Sequence, residues 1–507
     1  MKNGYLKVGR AAELEGADKF IYRLLEIFPG FLSWGTIIGV IVLSWQKPVW
    51  VALFIIVFDV YWLVKTVYLS FHLNVSWKRM KRNLAVDWMS RLDNMKWQGL
   101  WQMVILPFYK EDFEVVEDAI GSLFSADWPK DKMIIILAAE ERAGEGARLI
   151  SEKIKEKFGD KFAHFLVTVH PKDIEGEMAG KGSNIAWAAE KAGLKILDAQ
   201  GIPYEKVLVS AFDIDTRVYP QYFACLAWHF LTVENPYRSS FQPVPLYNNN
   251  IWEAPALSRV VATSGTFWQM IQQERPERLA TFSSHSMSFK ALYEVGFWQR
   301  NMVSEDSRIF WNFFLHYNGD YKVVPLSYPV SMDANLAPTF WRTTVNVYKQ
   351  QRRWTWGVEN IPYILFGFLK NKKISFGKKL RHSFAQIEGF WSLATNPLLI
   401  FLLGWLPLFL GGQEFNTLLL SYNLPRITRT LMTIAMLGLI GSAVISLSFL
   451  PKRPRIQKFR KFFFMVFQWV LIPVTISIFG AIPGLDAQLR LMLGKYMGFW
   501  VTPKHRK

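Results

Sequence analysis

Two apolar runs near the start of the chain constrain it most. Phe28–Trp45 contains no charged residue, and such a run is long enough to span the hydrocarbon core of a bilayer as a helix. Pro48–Phe71 follows at once, broken only by Asp59 and Lys65. One such run alone would also suit a buried core helix, but a tightly linked pair of this length favours a membrane. The first run lacks a small-x-small cleavage site and leads straight into the second, so a cleaved signal peptide is not expected. Three more candidates come late, at about Phe390–Leu410, Leu431–Leu450 and Phe462–Ala481. The stretch from about Trp77 to Lys370 has none and reads as one globular domain. The expected division is 1–76, with two spans, 77–375, the globular domain, and 376–507, an interfacial helix with about three membrane segments.

Charge supports this reading. There are 59 Lys+Arg against 41 Asp+Glu, a formal net charge of +18. Basic residues cluster beside the apolar runs: Lys78, Arg79, Lys81 and Arg82; Lys370, Lys372, Lys373, Lys378, Lys379 and Arg381; Lys452, Arg453, Arg455, Lys458, Arg460 and Lys461. Basic residues flanking spans mark the cytoplasmic side, so the excess is an orientation signal, nucleic acid is not an expected partner, and the middle domain is expected to be cytoplasmic in a multi-pass protein of a bacterial-type cell membrane. Lys378–Phe390 is expected to be an interfacial helix, basic on one face and carrying Phe384, Ile387 and Phe390 on the other. Five spans would leave the C-terminus on the far side, whereas Arg490, Lys495, Lys504, Arg506 and Lys507 favour the near side. Either Phe462–Leu485 is a re-entrant hairpin around Pro473 and Pro483, or the span count is off by one. The single cysteine, Cys225, excludes an internal disulfide and a Cys-based zinc site. With 51% hydrophobic and 16% aromatic residues the chain is not disordered.

In the middle domain, short apolar blocks alternate with segments of helical spacing. Trp101–Phe108, Met133–Ala139, Phe165–His170 and Lys206–Ser210 read as buried strands. Phe113–Ser125, Glu145–Phe158 and Ser183–Ala192 read as helices. This alternation predicts an α/β domain with an open, mostly parallel sheet covered by helices. Ligands then bind at the carboxyl ends of the strands, where Tyr109–Glu111, Glu140–Glu141 and Asp213-Ile214-Asp215 fall.

Several of these positions carry chemistry. Asp213 and Asp215 offer hard oxygen ligands to a divalent ion that would balance a leaving diphosphate. A D-x-D is common by chance, and a solvated helix-capping Asp is the plain alternative. Gly180-Lys181-Gly182-Ser183-Asn184 opens a helix with a cation, a setting that favours an anion. It lacks Walker spacing, and an ordinary cap by Ser183 would also explain it. Ser304-Glu305-Asp306 supplies a carboxylate able to act as general base, or simply a capped helix start with acidic residues in its first turn. Gln350-Gln351-Arg352-Arg353-Trp354 sets a possible diphosphate clamp beside an aromatic face suited to a sugar, or a headgroup-level turn of an interfacial helix.

Taken in order, these motifs resemble those of the membrane-embedded family 2 glycosyltransferases of the cellulose- and hyaluronan-synthase-like kind. The resemblance covers about Trp101–Tyr363 and the placement of the spans. Pro107-Phe108-Tyr109-Lys110-Glu111 resembles the opening P-x-Y-N-E, with Lys110 in place of Asn. Gly180–Asn184 resembles the G-K-x-x-N turn, Asp213–Asp215 the D-x-D, Ser304–Asp306 the T/S-E-D, and Gln350, Arg353 and Trp354 the Q-x-x-R-W. The resemblance implies a GT-A (Rossmann-like) fold, a nucleotide-diphosphate sugar donor, a divalent metal (Mg or Mn) and inversion at the anomeric carbon. It implies Asp306 as catalytic base with Glu305 orienting the turn. It implies Tyr109, Glu111, Glu140, Lys181, Asp213 and Arg353 at the donor, Asp213 and Asp215 at the metal, and Gln350 and Trp354 at the acceptor. Glu140 stands where the family usually has an Asp that reads the nucleotide base. Thr281–His285 departs from the synthases in the loop below the acceptor, and His170-Pro171 and Gly176-Glu177, with Ser284-His285-Ser286, point to a distinct subgroup. Three outcomes remain open: a transferase extending a polysaccharide or glycan, a non-processive transferase adding one sugar to a lipid carrier, and a non-catalytic membrane scaffold.

Overall fold

The computed structural model describes residues 4–451 and 464–503. The basic cluster Lys452–Lys461 lies outside the described residues. Eight strands form one sheet: β1 (Trp101–Phe108), β2 (Met133–Glu140), β3 (His164–His170), β4 (Val207–Ala211), β5 (Arg217–Val218), β6 (Ser239–Leu246), β7 (His285–Ser288) and β8 (Lys322–Ser331). Their order is β3-β2-β1-β4-β7-β6-β8-β5. β1, β2, β3 and β4 pair in parallel, as do β6 and β8, while β7 and β5 run antiparallel to their neighbours. The result is the expected mixed α/β, GT-A-like domain with a mostly parallel sheet.

The apolar blocks become strands because both faces of the sheet are covered. All of β2 is buried. Successive residues serve opposite layers: Val104, Leu106 and Phe108 pack with Val116 and Ile120 of the helix Phe113–Phe124. Met103 and Ile105 pack with Ile185 and Ala189 of the helix Lys181–Ala192. β1 lies between β2 and β4, and the chain leaves it toward both sides in turn. That reversal of strand order opens a crevice beyond the carboxyl ends.

Apolar helices flank this domain. Gly16–Gln46, Pro48–Leu84 and Phe464–Met492 are long and apolar enough to cross a membrane, and Phe376–Phe401 with Leu403–Leu410, bent by 49°, would make a fourth. Leu419–Ser448 forms a 30-residue helix over the late run expected from Leu431. Lys378–Phe390 forms the first half of the continuous helix Phe376–Phe401. Asp59 and Lys65, the two interruptions of the second run, are both engaged: Thr428 Oγ1 donates to Asp59 at 2.7 Å, and Lys65 pairs with Glu388 and donates to Ser392 at 2.9 Å.

Both ends of Phe464–Met492 rest on the globular domain. Trp469 stacks on Phe267 with ring centroids 5.4 Å apart. Further along, Thr355 Oγ1 donates to the Pro483 carbonyl at 3.1 Å and Arg352 pairs with Asp486 at 3.0 Å. Beyond it, Tyr496 donates to Glu26 at 2.8 Å.

Candidate active site

The crevice is organised by one buried cation. Lys181 begins the helix Lys181–Ala192 and is 6% exposed. Its Nζ lies 2.6 Å from Asp213 Oδ1 and 2.9 Å from both carboxylate oxygens of Asp306. Burial opposes the charge, but the Asp213 and Asp306 carboxylates outweigh it and hold the ammonium above its usual range. Three segments distant in sequence, the G-K turn, the D-x-D and the S-E-D, thus meet at a single atom. Asp213 Oδ2 also accepts Ser283 Oγ at 2.6 Å, and the Asp306 carbonyl accepts Thr281 Oγ1 at 2.5 Å. The segment Thr281–His285, a departure from the synthases in sequence, therefore holds both acidic motifs.

Close approach sets the small residues here. A Cβ at Gly182 would stand 3.0 Å from the Gln299 carbonyl oxygen and from Glu305 Cβ, so a larger residue would press the two helix starts apart. Asn184 donates to the Ala138 carbonyl at 2.6 Å, which ties that helix to the end of β2. Ser183 is not the expected cap; Gly180 precedes the helix, and Ser183 donates instead to the Met178 carbonyl.

Glu305 and Asp306 open the helix Glu305–His316 but differ in environment. Asp306 keeps 22% of its side chain exposed, whereas Glu305 is 2% exposed. Burial first, and the Asp306 charge second, push the Glu305 carboxyl up to about 8. The helix start is held from outside by Glu359, which accepts the Ser304 amide at 2.9 Å, Ser304 Oγ at 2.7 Å and Trp356 Nε1 at 2.9 Å. Behind Asp306, His285 Nδ1 donates to the Phe282 carbonyl at 2.8 Å and Nε2 accepts from Trp298. Its burial lowers its basicity and keeps the imidazole neutral.

Asp215 lies deeper than Asp213. It is fully buried, and its Oδ2 accepts the Asp333 amide at 3.0 Å. Among the described residues no group of three or more His, Cys, Asp and Glu side chains is placed to hold an ion. In ligand chemistry Asp213 and Asp215 suit a hard divalent ion. Asp213 reaches the crevice, Asp215 would have to turn from the Asp333 amide, and further oxygens would come from the donor.

At the end of β1, Glu111 accepts the Tyr109 amide at 2.8 Å and the Lys110 amide at 3.1 Å, folding the P-x-Y-K-E turn onto itself. Glu140 pairs with Arg142, whose guanidinium lies 4.7 Å from the Tyr109 ring centroid. Tyr109 and Glu140 thus share one wall through Arg142. Across the crevice, Trp354 stands between Tyr247, 6.0 Å away, and Phe282, 5.7 Å away. Gln350, on the same helix Phe340–Thr355, is buried beside it.

Sequence reasoning missed the cover of the site. The segment after Met492 returns over the G-K turn: a Cβ at Gly180 would stand 2.6 Å from Phe499 Cγ. Arg353 Cζ lies 4.9 Å from the Phe499 ring centroid, and Lys349 Nζ lies 5.6 Å from that of Trp500. The only sequence signal was the aromatic pair amid the basic residues of the tail.

A family model described as Glycosyl transferase family group 2 matches residues 208–478. Among solved structures, the mannosyltransferase PcManGT from Pyrobaculum calidifontis, in complex with GDP-Man and Mn2+, is 15% identical over 76% of this chain and 97% of its own, with a TM-score of 0.41. S. aureus TarS 1-349 is 10% identical over 69% of this chain and 91% of its own, at 0.37. GalNAc-T7 with UDP, GalNAc and Mn2+ is 12% identical over 58% of each chain, at 0.35. No curated protein matches the chain.

Proposed function

The chain belongs to glycosyl transferase family group 2, and we propose that it is a membrane-embedded, cellulose- and hyaluronan-synthase-like member that extends a glycan or polysaccharide with inversion. The observation that carries this reading is the convergence of Asp213 and Asp306 on Lys181 Nζ at the switch point of the sheet.

The chemistry follows from which carboxylate is left to act. Asp213 and Asp306 both pair with Lys181, but Asp213 spends its other oxygen on Ser283, Glu305 is buried with its acidity lowered, and Asp306 keeps 22% of its side chain exposed. Asp306, at the mouth of the crevice, is the group placed to take the proton of an acceptor hydroxyl. The hydroxyl oxygen attacks the anomeric carbon as the bond to the diphosphate oxygen breaks on the opposite face. The electron pair leaves with the nucleoside diphosphate. One base and no nucleophilic carboxylate means a single displacement, hence inversion. Lys181 and Arg353 meet the diphosphate charge, and Tyr109, Glu111 and Glu140 form the wall for the nucleoside. Mg2+ or Mn2+, held through Asp213 with Asp215 behind it, would neutralise the leaving diphosphate. Gln350 and Trp354 present the acceptor sugar, whose C–H face suits an aromatic ring.

Topology supports the same reading. With Gly16–Gln46, Pro48–Leu84, the bent pair and Leu419–Ser448 crossing, and Phe464–Met492 lying in the interface against the domain, both termini stay on the domain's side. That removes the parity conflict with the basic tail and keeps the domain cytoplasmic. Transfer from a panel of labelled nucleotide sugars by the detergent-purified chain tests the proposal. A long polymer is expected, with activity lost in chelator. A single-sugar lipid would replace polymer extension by one-step transfer, and no product with any donor would overturn the reading.

A further inference from the structure

Beneath the aromatic wall lies a small cavity of about 10 Å³, lined by Tyr247, Ala262, Asp333, Asn335, Gln350 and Trp354 among others. It has room for about one water-sized group. Asn335 is 5% exposed, and neither Oδ1 nor Nδ2 of its amide has a hydrogen-bond partner among the described residues. Its backbone is nevertheless fixed, because Ser258 Oγ donates to the Asn335 carbonyl at 2.5 Å. A buried amide with both functions unpaired is costly, and native structures keep few of them without a ligand or a role. The Trp354 and Tyr247 rings that wall the cavity also face the crevice; Trp354 touches Phe282, the neighbour of the serine bonded to Asp213.

We propose that this pouch is a hydroxyl-reading subsite for the acceptor sugar, with Asn335 as its specificity-determining residue. The proposal rests on the glycosyl-transfer reading above. The cavity is too small for a sugar ring but fits one hydroxyl. A hydroxyl carries a donor and an acceptor on one atom, the complement of an amide that offers Oδ1 to accept and Nδ2 to donate. The ring of the acceptor lies on Trp354, outside, and one of its hydroxyls enters the pouch in place of water. A site built to bond a hydroxyl rejects an analogue that lacks it, since its own buried groups are then left unpaired.

The test uses the full chain in detergent with octyl glycosides of glucose, galactose, mannose and N-acetylglucosamine as acceptors, followed by every monodeoxy analogue of the preferred one. One deoxy analogue is expected to raise the acceptor KM at least tenfold, and Asn335→Leu is expected to abolish that discrimination. Because Leu removes the unpaired amide at similar volume, the melting temperature should hold or rise. If all deoxy analogues are used equally by the wild type, or if Asn335→Leu keeps the discrimination, the subsite is wrong. A lowered melting temperature with unchanged discrimination would make Asn335 a structural residue satisfied by buried water, which also overturns the proposal. Transfer to none of the four glycosides from any nucleotide sugar would count against the glycosyl-transfer reading itself, a failure distinct from the loss of the subsite.

Discussion

On the side of the site formed by β1, β2 and β4, charge meets charge: Lys181 bridges Asp213 and Asp306, and Glu140 holds Arg142. On the opposite side, Trp354, Tyr247 and Phe282 form an aromatic wall with an unpaired amide behind it. The first side is satisfied by its own counter-ions, so a diphosphate must exchange partners with carboxylates as it binds. The second side needs no such exchange, because rings lose little on drying and their geometry is already set. In the proposed function, donor recognition would be electrostatic and coupled to rearrangement, and acceptor recognition preformed. The tail across Gly180, with Phe499 against both the turn and Arg353, spans the two sides.

The largest effect is expected from Asp306→Asn, since Asp306 touches Lys181 on one side and, in the proposed mechanism, takes the acceptor's proton on the other. Loss of the base should lower kcat by about 10²–10⁴-fold, with nucleotide affinity, followed by tryptophan fluorescence, little changed. Near-normal turnover in this variant together with none in Glu305→Gln would move the base to Glu305. A smaller effect is expected on the aromatic side. Trp354→Ala should raise the acceptor KM by roughly tenfold, the order of one lost ring contact, and leave donor affinity alone; weakened donor binding with an unchanged acceptor KM would erase the distinction between the sides. The smallest effect concerns Glu305. Its carboxyl is held protonated by burial to about 8, against a usual 4.5. The folded state thus keeps a proton that the unfolded chain releases, and stability should fall as pH rises from 4.5 to 8. Glu305→Gln lacks this component, so its melting temperature should vary less over that range; parallel profiles would mean that Glu305 is ionised in the fold.

What could be read beforehand follows from which signals burial writes into a sequence. The strands β1 to β4 were legible because a parallel strand covered on both faces is a continuous apolar block, and Met133–Glu140 is buried throughout. β7 was not, because His285-Ser286-Met287-Ser288 is polar; the Ser286 hydroxyl is satisfied inside the sheet, bonding Ser210 at 2.7 Å and Tyr222 at 3.1 Å. The acidic and basic motifs could be named from their order, but not the atom that unites them, since Lys181 reaches Asp306 across 125 positions. Nor could composition show which apolar segment meets the domain: Phe464–Met492 is as apolar as the two N-terminal helices, and its Trp469 and Asp486 both contact the globular part. Glu359, a lone acid in sequence, gains meaning only where it receives the Ser304 amide.

In the proposed mechanism a single carboxylate, Asp306, drives one displacement at the anomeric carbon. The configuration of the newly formed glycosidic bond tests this most directly. With a donor of defined anomeric configuration, NMR of the first product formed by the purified chain should show the opposite configuration, whatever the sugar. A product that retains the donor's configuration would require two displacements or a front-face attack, and would rule out Asp306 as the base of a single inverting displacement.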